Sequence, residues 1–247
     1  MKLLLWDIDG TLICNGAAGE RALIRVFKEI FKIETTLEPF DYRGRTDRRI
    51  SLMMLEHFQL PHDEKALHDF LEHYLKTLKE ELPLGEGGTH PGVLEILETV
   101  KKRPDLAQGL LTGNMIRGAE LKLGHYDLWN YFEFGAFADD SMNRNDLAPY
   151  AVQRATEKYA FTFPPQNVFI IGDTPHDIEC GRVIGAKTIA VATGAFSVEE
   201  LKSHQPTHLF HDLSDSQAFF DAIDQNQLHY PDTKIGAGDD EKESFNR

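Results

Sequence analysis

The sequence predicts a doubly wound α/β core, a parallel sheet wrapped by helices, interrupted early by an all-helical module. From about residue 84 to residue 224, short apolar runs alternate with helical patterns. Such alternation argues for parallel strands joined by right-handed crossovers. Between the first strand and that region, residues 16–83 carry helical periodicity and no strand pattern. A glycine-rich stretch, Gly85 to Gly88 followed by His90-Pro91-Gly92, marks the change from one texture to the other.

Leu3 to Trp6 is long enough for one buried strand and too short for a helix. Asp7-Ile8-Asp9-Gly10 follows, a sharp turn carrying two carboxylates that can project the same way from a strand end. Asn15-Gly16 is a turn dipeptide. From Ala17 to Phe31 the positions Ala18, Ala22, Val26, Ile30 and Leu23, Phe27, Phe31 recur at helical spacing. Glu34 to Arg45 is irregular, broken by Pro39 and Gly44. Thr46 or Asp47 caps a helix bearing Ile50, Met53, Met54 and Phe58. Pro61 ends it, and Asp63 opens another with Leu67, Phe70, Leu71, Tyr74, Leu75 and Leu78 on one face.

After the linker, a helix is expected from Val93 to Lys102 and a strand from Leu106 to Leu111, ending in Thr112-Gly113-Asn114. A helix from Ile116 to Gly124 and a strand near Phe132 to Phe137 come next. Leu147 to Tyr159 reads as helix, and Val168 to Ile171 as the clearest buried strand. That strand runs into Gly172-Asp173-Thr174-Pro175-His176-Asp177. Ile178 to Ile184 is helical, Thr188 to Ala192 a strand, Val198 to Ser203 a helix and His208 to Phe210 a last short strand. The predicted organisation is a core of residues 1–15 and 84–224, a helical insert of residues 16–83, and an acidic, mobile tail of residues 225–247.

Composition narrows the partners. With 41% hydrophobic and 27% charged residues the chain has the make-up of a water-soluble globular protein. Its net charge of −14 opposes binding to nucleic acid or to an anionic membrane. The 2 cysteines, Cys14 and Cys180, have no paired metal spacing and fit a reducing compartment. The first apolar run is broken at Asp7, which argues against a signal peptide, and no stretch reaches the roughly 20 apolar residues of a membrane span. The expected location is the cytoplasm.

Polar residues stand at the ends of separate predicted strands: Asp7 and Asp9, then Thr112 and Asn114, then Asp173 and Asp177. Parallel strands share a direction, so these groups converge on one rim of the sheet, the rim where open α/β sheets bind ligands. Clustered carboxylates repel unless a cation or a proton relieves them.

Read together, Asp7-Ile8-Asp9-Gly10-Thr11, Leu110-Leu111-Thr112-Gly113-Asn114 and Gly172-Asp173-Thr174-Pro175-His176-Asp177 resemble the first, second and fourth motifs of the haloacid dehalogenase (HAD) superfamily. The helical insert looks like that family's mobile cap, and the resemblance covers about Met1 to Ala222. It implies a Rossmann-like core and a phosphatase acting on a small phosphorylated metabolite. Asp7 would be the nucleophile that forms an aspartyl-phosphate, and Asp9 the general acid and base. Mg²⁺ would be held by Asp7, the Asp9 backbone carbonyl and Asp173, since hard oxygen donors suit that ion. Asp177 would complete the acidic site through a water or a basic partner. Thr112, Gly113 and Asn114 would receive the substrate phosphate; the plain alternative for Thr112 is a helix cap, and the two readings are compatible.

The family's third motif is a lysine or arginine, and its usual Lys-Pro pair is absent here. Arg144, in Arg144-Asn145-Asp146-Leu147, is the candidate against the reading of a solvated surface arginine, with Lys122 and Lys158 as fallbacks. Gly44-Arg45-Thr46-Asp47 and His90-Pro91-Gly92-Val93 resemble the phosphoglycolate phosphatase branch. A phosphomutase of the beta-phosphoglucomutase type uses the same aspartates and stays open, as does a non-catalytic binding module on the same fold. The substrate and the oligomeric state are not legible.

Overall fold

The computed structural model describes residues 1–225 and Tyr230, so the expected acidic tail lies almost wholly outside the described residues. The core is a six-stranded sheet with every neighbouring pair parallel. Its strands are β1 (Lys2–Trp6), β4 (Leu106–Leu111), β5 (Gly135–Ala136), β6 (Val168–Gly172), β7 (Lys187–Val191) and β8 (His208–Phe210). They lie in the order β5-β4-β1-β6-β7-β8. Chain order reverses at β1, which therefore stands at the switch point with β4 on one side and β6 on the other. Every residue of β4 and β6 is buried. Strands buried on both faces in this way need helices over both. Those helices are α4 (Val93–Lys101), α5 (Ile116–His125), α6 (Leu147–Tyr159), α7 (Pro175–Val183), α8 (Val198–Ser203) and α9 (Ser216–Gln225). One apolar cluster gathers Leu4, Trp6, Leu97 and Phe219, and a second, on the opposite sheet face, gathers Leu3, Leu5, Ala151 and Cys180.

The insert lies between β1 and β4. It contains α1 (Ala18–Val26), α2 (Asp47–His57) and α3 (Glu64–Glu81). These helices bury a cluster of their own, including Leu23, Phe27, Met54, Phe70 and Tyr74. Met115, Leu121 and Met142 of the core pack against it, so the insert rests on α5 and on the loop before α6. Among the described residues no helix is long and apolar enough to cross a membrane.

The structure departs from the sequence expectations in places with physical causes. The helix expected to reach Phe31 stops at Val26 and continues as a π-helical turn, Phe27–Phe31. The wider turn sets the Phe27 and Phe31 rings 5.5 Å apart and brings both against Phe70. The stretch expected as strand from Phe132 to Phe137 pairs only over Gly135–Ala136. It is the sheet edge, and the Gly135 carbonyl accepts from Arg154 Nη1 (2.6 Å) where a further strand would otherwise pair. The glycine-rich linker contains a two-residue strand, β3 (Gly88–Thr89), antiparallel to β2 (Ile13–Cys14). That ribbon ties together the chain's exit to the insert and its return, a pairing too short to leave a periodic trace.

Candidate active site

Because β4, β1 and β6 are neighbours, the residues just beyond their carboxyl ends meet at one point of the rim. The Asp7 N–H donates to Ile171 O (2.9 Å), extending the β1–β6 ladder by one residue and fixing Asp7 beside Asp173. Carboxylate oxygens of Asp7, Asp173 and Asp177 lie within 4.8 Å of one another, all three residues buried. Burial pushes the Asp7 carboxyl up to about 6; Arg144 opposes this, and Asp177 and Asp9 add to it. Burial, then the charges of Asp7 and Asp177, pushes Asp173 well above the usual carboxylate range.

This donor set fits a hard divalent cation, whose charge lets adjacent buried carboxylates ionise together. The backbone is shaped around it. Gly10 has φ +83°, and a Cβ at Gly10 or Gly194 would strike the Asp173 carboxylate. The Thr11 hydroxyl donates to Asp173 Oδ1 (3.1 Å). Asp177 is more fully engaged. Its Oδ1 accepts from Arg144 Nη2 (2.5 Å), and its Oδ2 accepts from the Thr174 N–H (3.0 Å) and hydroxyl (2.7 Å). Asp7 and Asp173 are thus the freer oxygen donors. The Thr174 bonds also explain why α7 begins at Pro175, three residues before the sequence expectation. Thr-Pro-x-Asp is an N-terminal cap with proline at the first helical position, a legible signal.

Arg144 sits in a 3₁₀ turn, Arg144–Asp146, just before α6. Its side chain is 6% exposed and its Nη2 lies 3.1 Å from Asp7 Oδ1 as well as on Asp177. Burial would lower its affinity for the proton, but Asp177 and Asp7 raise it and hold the guanidinium charged. It is therefore not a solvated surface arginine. Lys158 pairs with Glu133 at the surface. Lys122 is also buried, though away from the triad: its Nζ donates to Asp9 Oδ2 (2.6 Å) and to Asn114 Oδ1 (2.6 Å).

The Asp9 side chain is not among the clustered oxygens. Its Oδ1 accepts from Asn15 Nδ2 and its Oδ2 from Asn114 Nδ2 (2.9 Å) and Lys122. Burial alone would raise its pKa, but Lys122 and these donors bring it below the usual value. The Asn114 amide is spent on Asp9, Lys122 and Thr112 Oγ1 (2.8 Å), rather than lying free for a phosphate. Thr112 and Gly113 line the cavity, and Thr112 is not the cap of α5, whose cap position is Met115.

The insert closes over this rim. Gly44 O accepts from Arg144 Nη1 (3.1 Å), the Thr46 hydroxyl donates to Met142 O (2.8 Å), and the Asp47 N–H donates to Gly113 O (2.7 Å). Thr46 caps α2, accepting from the Arg49 N–H (3.2 Å). Asp47, one residue on, accepts instead from the Met115 N–H (2.8 Å) at the start of α5, an anion at a helix N-terminus. Its carboxyl is pushed up to about 6 by burial, Lys122 opposing. Between insert and rim lies a cavity of about 430 Å³, floored by Asp7, Asp173 and Thr112 and roofed by Leu23, Tyr42 and Tyr74. The sequence did not single out Asn15. Its signal is the Asn-Gly turn dipeptide it opens; its Oδ1 accepts from the Ala18 N–H (3.1 Å), three residues on, as α1 begins.

Comparison with known proteins agrees with this geometry. A HAD-hydrolase-like family model matches residues 144–216. The chain is 24% identical over 212 residues to a probable phosphatase, IndB, of Dickeya dadantii, covering 83% of this chain and 86% of that one. It is 27% identical over 210 residues to a putative pyrophosphatase, PpaX, of Clostridium perfringens, covering 83% and 91%. A solved hydrolase from Pseudomonas syringae superposes with a TM-score of 0.71 at 20% identity, covering 90% of this chain and 99% of that one. The chain has the fold, the ordered motifs and the helical cap of haloacid dehalogenase-like hydrolases, and over most of its length it is similar to phosphatases of that group.

Proposed function

We propose that the protein is a Mg²⁺-dependent phosphatase that hydrolyses a small phosphorylated metabolite through an aspartyl-phosphate on Asp7. The observation that carries the reading is the placement of Asp7. It is buried at the end of the central strand, within reach of Asp173 and of Arg144, and it lines the cavity between insert and rim. A carboxylate attacks a phosphate dianion only where positive charge relieves the repulsion. Asp7 and Asp173 would hold the Mg²⁺, which when bound neutralises the phosphoryl oxygens.

The remaining steps belong to the chain. An Asp7 oxygen attacks phosphorus, the ester P–O bond breaks, and the leaving oxygen takes a proton from Asp9. Asp9 then removes a proton from water, whose oxygen attacks phosphorus as the P–O bond to Asp7 breaks and inorganic phosphate leaves. Thr112 donates its hydroxyl to a phosphoryl oxygen, Gly113 lies beside it, and Asn114 acts on the same group through Thr112. Arg144 steadies Asp7 and the transferred group. The cap over the rim leaves a cavity of about 430 Å³, a size that suits a small molecule.

One observation favours a second substrate class. Asp9 is held as a carboxylate by Lys122, Asn114 and Asn15, the state the water step needs and the opposite of the acid step. A phosphoanhydride asks less of that acid, because its leaving group departs as a phosphate anion. The likeness to a putative pyrophosphatase points the same way.

The test is hydrolysis of an alkyl phosphate, an aryl phosphate and pyrophosphate with Mg²⁺ and with chelator. Turnover of at least one, abolished by chelation, is expected, and their ranking separates the two classes. Isomerisation of a hexose phosphate faster than phosphate release would make the protein a mutase. Asp173→Asn should shift the Mg²⁺ titration to higher concentration by at least about tenfold, since a ligand carboxylate is lost. An unchanged titration would remove Asp173 from the metal site.

A further inference from the structure

Lys122, a fallback for the third-motif cation, stands in the middle of α5, on the face that also buries Gly118, Ala119 and Leu123. It is 3% exposed and lies between two carboxylates, bonded to Asp9 of the core and attracted by Asp47 of the cap. An ammonium donates hydrogen bonds and never accepts them. Its bond to Asn114 Oδ1 therefore fixes which way round that amide lies. Nδ2 must face Asp9 Oδ2 (2.9 Å) and Thr112 Oγ1 (2.8 Å). Thr112 Oγ1 also accepts from the Asn114 backbone N–H (3.3 Å). With donors occupying its oxygen, the hydroxyl is left with its own proton to give, and Thr112 lines the cavity. Reversing the amide would place Asn114 Oδ1 against Asp9 Oδ2, acceptor against acceptor. It would also draw the Thr112 proton inward, away from the cavity.

We infer that Lys122 is a positioning residue. Its two bonds lock the Asn114 amide, aim the Thr112 hydroxyl proton at the transferred phosphoryl group and hold the Asp9 carboxylate beside it. The inference rests on the phosphatase reading above. It differs from a packing role because it makes Lys122 and Thr112 act as one unit.

The experiment is a double-mutant cycle in the full chain with Mg²⁺, reading kcat for para-nitrophenyl phosphate beside a thermal melt. Thr112→Val removes the aimed proton, and Lys122→Met removes the lock. Each is expected to lower kcat by about 10²-fold or more, the usual cost of one preorganised donor. The double variant should fall no more than about threefold below Lys122→Met, because the lost interactions are shared. Lys122→Gln keeps a donor but adds an acceptor, so the amide can turn; it should show the same coupling with the fold retained, and it carries the cycle if Lys122→Met does not fold. Losses that multiply in the double variant, or wild-type kcat in either single Lys122 variant, would overturn the inference. So would failure of both Lys122 variants to fold, which would assign the residue to stability. A wild type that turns over no phosphate compound sinks the functional reading instead, a separate result.

Discussion

Asp7→Asn should lose turnover by on the order of 10⁴-fold or more, as expected for removal of a nucleophile, while the protein melts no lower than wild type. The first effect follows from chemistry: a carboxamide oxygen does not displace an alkoxide or phosphate to form a stable acyl phosphate. The second follows from electrostatics. Burial and the neighbouring carboxylates push Asp7 up to about 6, so its ionised form destabilises the folded state at neutral pH. Asparagine keeps the shape and removes the charge. Kinetics with an aryl phosphate and melting curves in chelator check both halves. Acid-quenched wild type, but not the variant, should carry one phosphoryl group on the peptide containing Asp7. Residual turnover near that of wild type, or a labelled variant, would remove Asp7 as the nucleophile.

Removing Arg144 should show the opposite pattern, a loss of stability as well as of activity. Its guanidinium bridges Asp7 Oδ1 (3.1 Å) and Asp177 Oδ1 (2.5 Å), and all three side chains are nearly inaccessible. Arg144→Ala leaves carboxylates buried without their counter-charge, a change that costs about 3–5 kcal/mol where a buried pair is broken. The pH dependence has a definite sign. Arg144 is what holds the Asp7 carboxyl down to about 6 against burial, so without it the value rises further above the ordinary 3.8. A carboxyl raised in the folded state binds more protons there than when unfolded. The destabilisation is therefore full above the folded pKa and fades as pH falls toward the unfolded one. Melting temperatures of wild type and Arg144→Ala, measured in chelator, should diverge at pH 7.5 and converge toward pH 4. A constant gap across that range would place the effect in packing. Turnover should fall by about 10²–10³-fold, the cost of a lost charge-stabilising donor. Arg144→Lys should recover part of the stability and less of the activity, since a point charge cannot bridge both carboxylates.

Much of the site was legible because it is local. Asp7 and Asp9 are two apart on a strand end, and Asp173 and Asp177 flank a helix start that Thr174 and Pro175 announce. Short fixed spacings of this kind are set by backbone geometry, and a sequence displays them directly. Arg144 could be placed only by its position before α6; its burial between Asp7 and Asp177 depends on two other segments. Lys122 was legible only as a fallback for the third-motif cation, well inside its helix. That it reaches Asp9 follows from α5 lying beneath the cap, a fact of packing 113 residues away in the chain.

By itself the sequence determined the alternation of strand and helix, the helical insert and the order of the acidic strand ends. Each of these is written in side-chain periodicity or in turn chemistry over a few residues. The tertiary structure alone decided which strands are neighbours, that the cap's Gly44 to Asp47 segment bonds to the acidic rim, and which cation faces which carboxylate. Those outcomes depend on burial, which turns a distant charge into a strong partner by stripping water from both, and burial is a property of the packed chain rather than of any stretch of it.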